Sequence, residues 1–95
     1  MPEVRFTVQW PDSSVSECYS PSTVVHDFIQ SGTRYALDDF MARSRAALNL
    51  GSERVRQKYG YACSAAMDEL KRLEERAAAF HDDPAAAVVV ISVLP

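Results

Sequence analysis

The chain has 95 residues and a mass of 10.6 kDa, which leaves room for one domain, residues 1–95, with a single core. Hydrophobic residues make up 47% and charged residues 24% of the sequence, a balance that is typical of globular proteins and excludes a disordered or fibrous chain. The formal net charge of −3 argues against a generally basic nucleic-acid binder.

Two segments bear on location. Residues 1–6 lack the basic and apolar regions of a secretory signal. Residues 85–94 form the longest near-continuous apolar run, about half as long as a membrane span. We therefore expect a soluble, cytoplasmic protein whose two cysteines, Cys18 and Cys63, are reduced.

The first part of the chain predicts a β-hairpin. Apolar residues alternate with polar ones over residues 4–10, which is the pattern of a half-buried strand. Residues 11–14 (Pro-Asp-Ser-Ser) are typical of a turn. Residues 15–19 then return as a second strand.

A short helix is predicted over residues 21–30. Ser20 and Pro21 have the types preferred at an N-cap and at the first helical position. The inward side of this helix is apolar, with Val24, Val25, Phe28 and Ile29. Gly32 stands where a left-handed residue ends a helix.

Residues 37–80 have helical periodicity throughout, and one helix of that length would extend about 66 Å, too far for a domain of this size. Gly51 and Gly60 are the two candidate breaks. Acidic residues at one end and basic residues at the other suit the dipole of a helix over 38–59, which favours Gly60. Gly51 is then expected on the inner face, where another backbone approaches closely. A break at Gly51 remains an alternative, because Ser52 has a residue type preferred at the N-cap of a following helix.

The next helix is predicted to begin with Ser64 as its N-cap and with Asp68 and Glu69 near its first turn. It ends before Pro84, because the residue that precedes a proline is disfavoured in the helical region.

Residues 88–93 predict a strand from their β-branched composition. Both of its faces are apolar, with Val88 and Val90 on one and Val89, Ile91 and Val93 on the other. We expect this strand at the centre of the sheet, beside residues 4–10, with helices covering only one face. A second copy of the chain is the simplest cover for the other face, which predicts a homodimer.

The predicted fold class is therefore α+β. A small, three-stranded, mostly antiparallel sheet packs against a long helical hairpin and one short helix, in the order β-β-α-α-α-β.

Basic residues concentrate in the middle of the chain, where residues 34–61 carry six basic and three acidic side chains, a local charge of +3. Arg43 with Arg54, and Arg45 with Arg56, are eleven residues apart, so each pair lies along one line of a continuous helix. Such guanidinium groups can bind a carboxylate or a phosphate. The favoured alternative is a solvated face whose cations pair with the acidic second helix.

Cys63 is the candidate nucleophile, because it lies near the predicted start of a helix, where the thiolate is favoured. The favoured alternative for this cysteine is a small, buried apolar role. The four tyrosines either line a pocket or pack at the edges of the core. They are Tyr19, Tyr35, Tyr59 and Tyr61.

The sequence lacks a phosphate-binding loop and the common catalytic motifs, and its cysteines and histidines do not form the close pairs of a zinc site. We predict no metal, no cofactor and no catalytic residue beyond the candidate Cys63. The candidate ligand-binding residues are Arg43, Arg45, Arg54, Arg56, Tyr59 and Cys18.

Several short stretches of the chain resemble a known family. They are residues 1–6 (Met-Pro-Glu-Val-Arg-Phe), 10–12 (Trp-Pro-Asp), 17–22 (Glu-Cys-Tyr-Ser-Pro-Ser), 42–48 (Ala-Arg-Ser-Arg-Ala-Ala-Leu), 52–56 (Ser-Glu-Arg-Val-Arg) and 59–64 (Tyr-Gly-Tyr-Ala-Cys-Ser). Together they resemble a small bacterial family named for a nitrogen starvation response. Its genes lie in a cluster with a nitrilase, a radical-SAM protein, an acetyltransferase, a flavin-dependent oxidoreductase and a relative of aminoimidazole-ribotide synthetase.

The resemblance implies a role in nitrogen acquisition, with cyanide or nitrile assimilation as one form of it. The resemblance assigns no catalytic residue. It makes six positions within the matching stretches candidates for a functional role: Cys18, Ser44, Arg45, Arg54, Tyr59 and Cys63.

The predicted function is a non-catalytic accessory protein that acts through protein–protein association, as a homodimer and with enzymes of the nitrilase gene cluster as partners. Neither a nucleic acid nor a membrane is an expected partner. The alternative is a small anion-binding protein or a small thiol enzyme with a pocket of Arg, Tyr and Cys.

Overall fold

The computed structural model of the chain describes residues 3–61 and 63–94. The strands are β1 (Val4–Gln9), β2 (Val15–Ser20), β3 (Thr33–Ala36) and β4 (Ala87–Leu94). The α-helices are α1 (Leu37–Tyr59) and α2 (Ser64–Ala78), and a short 3-10 helix covers Thr23–Asp27. Neither α-helix combines the length and the apolar character that crossing a membrane requires.

The four strands form one antiparallel sheet in the order β2-β1-β4-β3. The α+β class and the position of β4 beside β1 agree with the prediction, but the predicted three-stranded sheet is wrong, because β3 adds a fourth strand. Only one of the four residues of β3, Tyr35, is buried. Residues 33–36 (Thr-Arg-Tyr-Ala) do not alternate between apolar and polar types, so the sequence shows no strand pattern there.

One face of the sheet carries the core and is covered by α1 and α2. Val4, Phe6 and Val8 of β1 are fully buried there, as the alternation over residues 4–10 predicts. Trp10 contacts Phe40 of α1 edge-on, with ring centroids 5.9 Å apart, and stacks on Phe80 at 6.4 Å. The molecule therefore has two layers, and only the inner face of the sheet faces the helices.

The predicted helix over residues 21–30 is a 3-10 helix of five residues instead. Its N-cap is Ser22, whose Oγ accepts a hydrogen bond from the backbone N–H of Val24 at 3.2 Å. Ser20, the predicted cap, is the last residue of β2, and its hydroxyl donates to the carbonyl of Ser22 at 2.9 Å. The cap is thus displaced by two residues, and Pro21 lies before the helix.

The long helical stretch breaks at Gly60, as predicted. Gly60 ends α1 with a φ of 86°, a left-handed conformation that glycine adopts without a steric penalty. Gly51 lies inside α1 on its buried face, and a Cβ there would be 3.3 Å from Cγ of Pro21. The close approach expected at Gly51 is made by the segment that leads into the 3-10 helix.

The start of α2 differs from the prediction by one residue. Cys63 is the N-cap and Ser64 is the first helical residue, and neither side chain forms a capping hydrogen bond. The first turn of α2 contains no acidic side chain either. The N-terminal end of this helix therefore lacks the capping that Ser64 was expected to provide.

A β-bulge in β4 changes the predicted assignment of its faces. Thr7 pairs with Ser92 and Val8 with Val90, so Ile91 is the extra residue. Ile91 and Ser92 consequently both lie on the outer face of the sheet, and Val93 returns to the inner face, where it is 8% exposed. The prediction that Val93 shares a face with Ile91 is wrong.

Replacement of Gly60 tests the break between the helices. We expect Gly60→Ala to lower the free energy of unfolding by about 1 kcal/mol, because an L-residue is strained in the left-handed conformation. Space is not the cause, because a Cβ at Gly60 has no described neighbour within 4 Å. Thermal unfolding checks this, with an expected fall of about 4–8 °C in Tm. Gly60→Asn is the matched control and should lose less, because asparagine tolerates this conformation; equal stability of all three proteins would contradict the interpretation.

Candidate functional site

A cleft of about 330 Å³ lies where α1 ends and α2 begins, and we call it the tyrosine cleft. Its lining residues are Tyr19, Pro21, Val55, Tyr59, Tyr61, Cys63, Ser64 and Ala65. The turn at Gly60 brings the rings of Tyr59 and Tyr61 to within 6.3 Å, centroid to centroid. Strand β2 supplies Tyr19 from the opposite side. Two predicted candidates, Tyr59 and Cys63, therefore share one cleft.

Cys63 is the central polar group of the tyrosine cleft. Its backbone N–H donates a hydrogen bond to Oγ of Ser52 at 3.2 Å, which fixes the start of α2 against the middle of α1. Its half-buried side chain lines the same cleft as Tyr19. Partial burial, followed by the neighbouring Cys63 side chain, raises the pKa of Tyr19. The cleft therefore brings a thiol and phenol rings together, groups that can both donate and accept hydrogen bonds.

The other predicted tyrosine, Tyr35, does not reach this cleft. Tyr35 is buried, and its hydroxyl accepts a hydrogen bond from the backbone N–H of Gln30 at 3.0 Å. The guanidinium of Arg43 lies 5.0 Å from the centroid of its ring. Tyr35 therefore packs at the edge of the core, which is the second of the two roles considered for the four tyrosines.

Cys18 occupies a different environment. It is 2% exposed and lies in the wall of a second cleft, of about 440 Å³, between α2 and the β1–β2 hairpin. Burial, followed by the negative charge of Glu69, raises the pKa of Cys18 to about 12. This thiol stays protonated near neutral pH and behaves as a small apolar residue.

Glu69 is a structural residue that the sequence reasoning missed. Its side chain is 8% exposed. One carboxylate oxygen accepts a hydrogen bond from the backbone N–H of Tyr19 at 2.8 Å, and the other accepts from Nε of Arg72 at 3.2 Å. The available signal was its spacing, since Glu69 lies three residues after Ala66 and four before Leu73, both on the buried face of α2.

The four candidate arginines do not converge on one site. Arg43 donates to both carboxylate oxygens of Asp39 at 3.1 Å and to the carbonyl of Phe28 at 2.9 Å. Arg56 is paired with Glu53. These acidic partners belong to α1 itself, so the predicted pairing with the second helix is wrong for both residues.

The remaining arginines and Ser44 are also separate from the tyrosine cleft. Arg45 lines a small groove between α1 and α2 together with Glu74 and His81. Arg54 is exposed on α1. Ser44 is 1% exposed, and its hydroxyl has no hydrogen-bond partner among the described residues. Within residues 3–61 and 63–94, no group of three His, Cys, Asp or Glu side chains is arranged to hold a metal ion.

The second candidate region is the outer face of the sheet, which α1 and α2 do not cover. By strand pairing and burial, its side chains are Arg5, Thr7, Gln9, Val15, Glu17, Tyr19, Arg34, Ala36, Val89, Ile91, Ser92 and Leu94. Its large aliphatic residues are well exposed, with Val15 at 57%, Ile91 at 48% and Leu94 at 61%. We call this surface the outer sheet face. These residues alternate with polar side chains across the face, so the outer sheet face is a mixed surface with three exposed aliphatic residues.

Comparison with known proteins gives one match. Residues 5–93 match the model of a family described as nitrogen starvation-induced protein NitG. No curated protein and no solved structure matches the chain. The matched residues include the whole lining of the tyrosine cleft and the outer sheet face except Leu94.

The raised pKa of Cys18 predicts how stability depends on pH. An unfolded chain releases the thiol proton near pH 9, whereas the folded protein holds it to about pH 12. The unfolded state therefore binds fewer protons in this range, and the free energy of unfolding should fall as pH rises through it. Denaturant unfolding between these limits checks this, with Cys18→Ala as the comparison. In Cys18→Ala, the free energy of unfolding should fall less steeply with pH than in the wild type. The same pH dependence in both proteins would contradict the burial of a neutral thiol at Cys18.

Proposed function

This chain belongs to the family of nitrogen starvation-induced NitG proteins, and on that premise we propose that it is a non-catalytic accessory protein of nitrogen acquisition. We propose that it works in the cytoplasm by binding other protein subunits through the outer sheet face. A binding role requires a surface that gains stability when it is covered, and the outer sheet face has this property.

The observation that carries the proposal is the exposure of Ile91 and Leu94 on β4. Full burial of such a side chain contributes about 1.5–3 kcal/mol, and about half of each side chain is exposed, so covering each one contributes about 1 kcal/mol. Both lie on a central strand, and the bulge leaves Ile91 and Ser92 side by side on the outer face.

The partners that we propose are a second copy of the chain and enzymes of the nitrilase gene cluster. The second copy is supported by the small size of the core in a chain of 95 residues. The cluster enzymes are supported by the sequence resemblance described above. Both kinds of partner would be recognised through the same apolar residues.

A photo-crosslinker placed in the outer sheet face tests the proposed association. We expect p-benzoyl-phenylalanine at position 91 to form crosslinks to protein in nitrogen-starved cells, because Ile91 is covered when the protein acts. The same group at position 50 is the matched control, since Leu50 is 39% exposed but lies on α1, away from the sheet. Denaturing gels and mass spectrometry identify the products. Equal crosslinking at both positions, or none at 91, would contradict a role through this face.

The tyrosine cleft supports a second candidate function, a small anion-binding protein or a thiol enzyme. The observation in its favour is that Tyr19, Tyr59 and Cys63 meet in one cleft at the start of α2. A helix N-terminus and hydroxyl donors favour a carboxylate or a phosphate. The candidate arginines lie outside this lining, so the cleft would hold the anion without their charge.

Alkylation separates the two functions. For the non-catalytic role, we expect Cys63 to react with iodoacetamide at pH 7 no faster than the thiol of an unstructured peptide, because it serves only to begin α2. Cys18, which is buried, should not react in the folded protein. Mass spectrometry of timed samples measures both rates. A Cys63 rate well above the peptide value, together with a rise in Tm in the presence of a carboxylate or a phosphate, would favour the second function.

A further inference from the structure

We infer that the outer sheet face binds a second copy of the chain face to face, about a two-fold axis that runs along the strands between β1 and β4. This inference rests on the proposed function and specifies its geometry. In an aligned arrangement, two sheets pack about 10 Å apart with their strands close to parallel. The exposed residues of β4 then lie over β1 of the other copy.

The charges at the margins of the outer sheet face carry the argument. The order β2-β1-β4-β3 places Glu17, on β2, at one margin and Arg34, on β3, at the other. Arg34 is exposed and forms no salt bridge with a residue in the described part of the chain. A two-fold axis along the strands places one margin opposite the other. Each Glu17 would then face an Arg34 of the other copy, and symmetry makes this contact twice.

The register of the strands sets the distance between these charges. Val15 pairs with Gln9, Gln9 with Val89, and Val89 with Arg34, so these four residues lie in one row across the sheet. Glu17 is two residues farther along β2, about 7 Å from that row. A long arginine side chain can span such an offset, so the pairing is geometrically possible.

The centre of the face combines apolar and polar side chains. Near the axis, Ile91 of one copy approaches Ile91 of the other, because this side chain projects from the outer face. Leu94 lies over the aliphatic part of the other copy's Arg5, as it lies beside Arg5 in its own sheet. Thr7, Gln9 and Ser92 lie between these contacts, and such a mixed composition is typical of non-obligate interfaces.

The free edge of β2 is less suited to a second copy. Glu69 of α2 already accepts a hydrogen bond from the backbone N–H of Tyr19 on this edge. A backbone N–H that already donates to a side chain cannot pair with an added strand without losing that hydrogen bond. Face-to-face association is therefore favoured over strand pairing at β2.

The size of the face sets the expected affinity. Four strands of this length cover about 19 Å by 20 Å, an area of about 380 Å². This is about half of the roughly 800 Å² that each partner buries in a standard interface. We therefore expect a weak dimer, with a dissociation constant in the micromolar range or above, whose amount depends on protein concentration.

Exchange of the two margin charges tests the inference. We expect Arg34→Glu and Glu17→Arg each to weaken the dimer about tenfold or more, because each places like charges opposite one another twice. The double variant should restore the wild-type dissociation constant to within about threefold. Glu17→Arg also removes the acidic neighbour of Arg5, 3.9 Å away, so the decisive comparison is the double variant against Arg34→Glu alone. Sedimentation velocity over a range of concentrations gives the constants.

Two further variants control for folding and for the choice of surface. Ile91→Asp should abolish the dimer, and Leu50→Asp, on α1, should leave it unchanged. Thermal unfolding of each variant shows whether it is folded. The inference is overturned if the wild type stays monomeric up to about 1 mM, or if the charge exchange does not restore binding.

The outcome for the proposed function is separate. A monomeric protein that still crosslinks from position 91 to a different protein would overturn only the second copy as occupant. A monomer without any such crosslink would overturn the proposed association as well.

Discussion

A sheet of four strands has two broad faces, and the two α-helices of this chain cover one of them. Strand β4 lies between β1 and β3 and joins β3 to the β1–β2 hairpin, so its two faces are those of the sheet. Val88 and Val90 of β4 complete the core beneath the helices. The opposite side of the same central strand is left without cover from the described residues, and the functional proposals depend on that exposure.

Much of the fold could be predicted from local sequence patterns. The β1–β2 hairpin follows from alternation, and the end of α1 follows from Gly60 and the charges before it. Strand β3 could not be predicted, because its four residues are stabilised by pairing with β4, more than fifty residues away in the chain. The bulge at Ile91 has the same origin: it is a feature of how β4 aligns with β1, and no pattern within residues 88–93 encodes it.

The candidate site was predictable to a smaller extent. Tyr59 and Cys63 are near in sequence, so a turn between the helices was enough to place them together. Tyr19 joins them from β2, a contact that only the tertiary fold creates. Arg43 and Arg56 both lie on α1, but acidic residues one turn away on the same helix pair with them. Helical spacing gives the direction of a side chain and leaves its partner undetermined.

Tyr19 meets α2 at two places. Glu69 accepts a hydrogen bond from its backbone N–H, and Cys63, at the start of the same helix, lines the same cleft as its ring. The guanidinium of Arg5, on the outer sheet face, lies 5.7 Å from the centroid of the Tyr19 ring. The Tyr19 ring thus borders both the tyrosine cleft and the outer sheet face, and an occupant of either region would contact the same side chain.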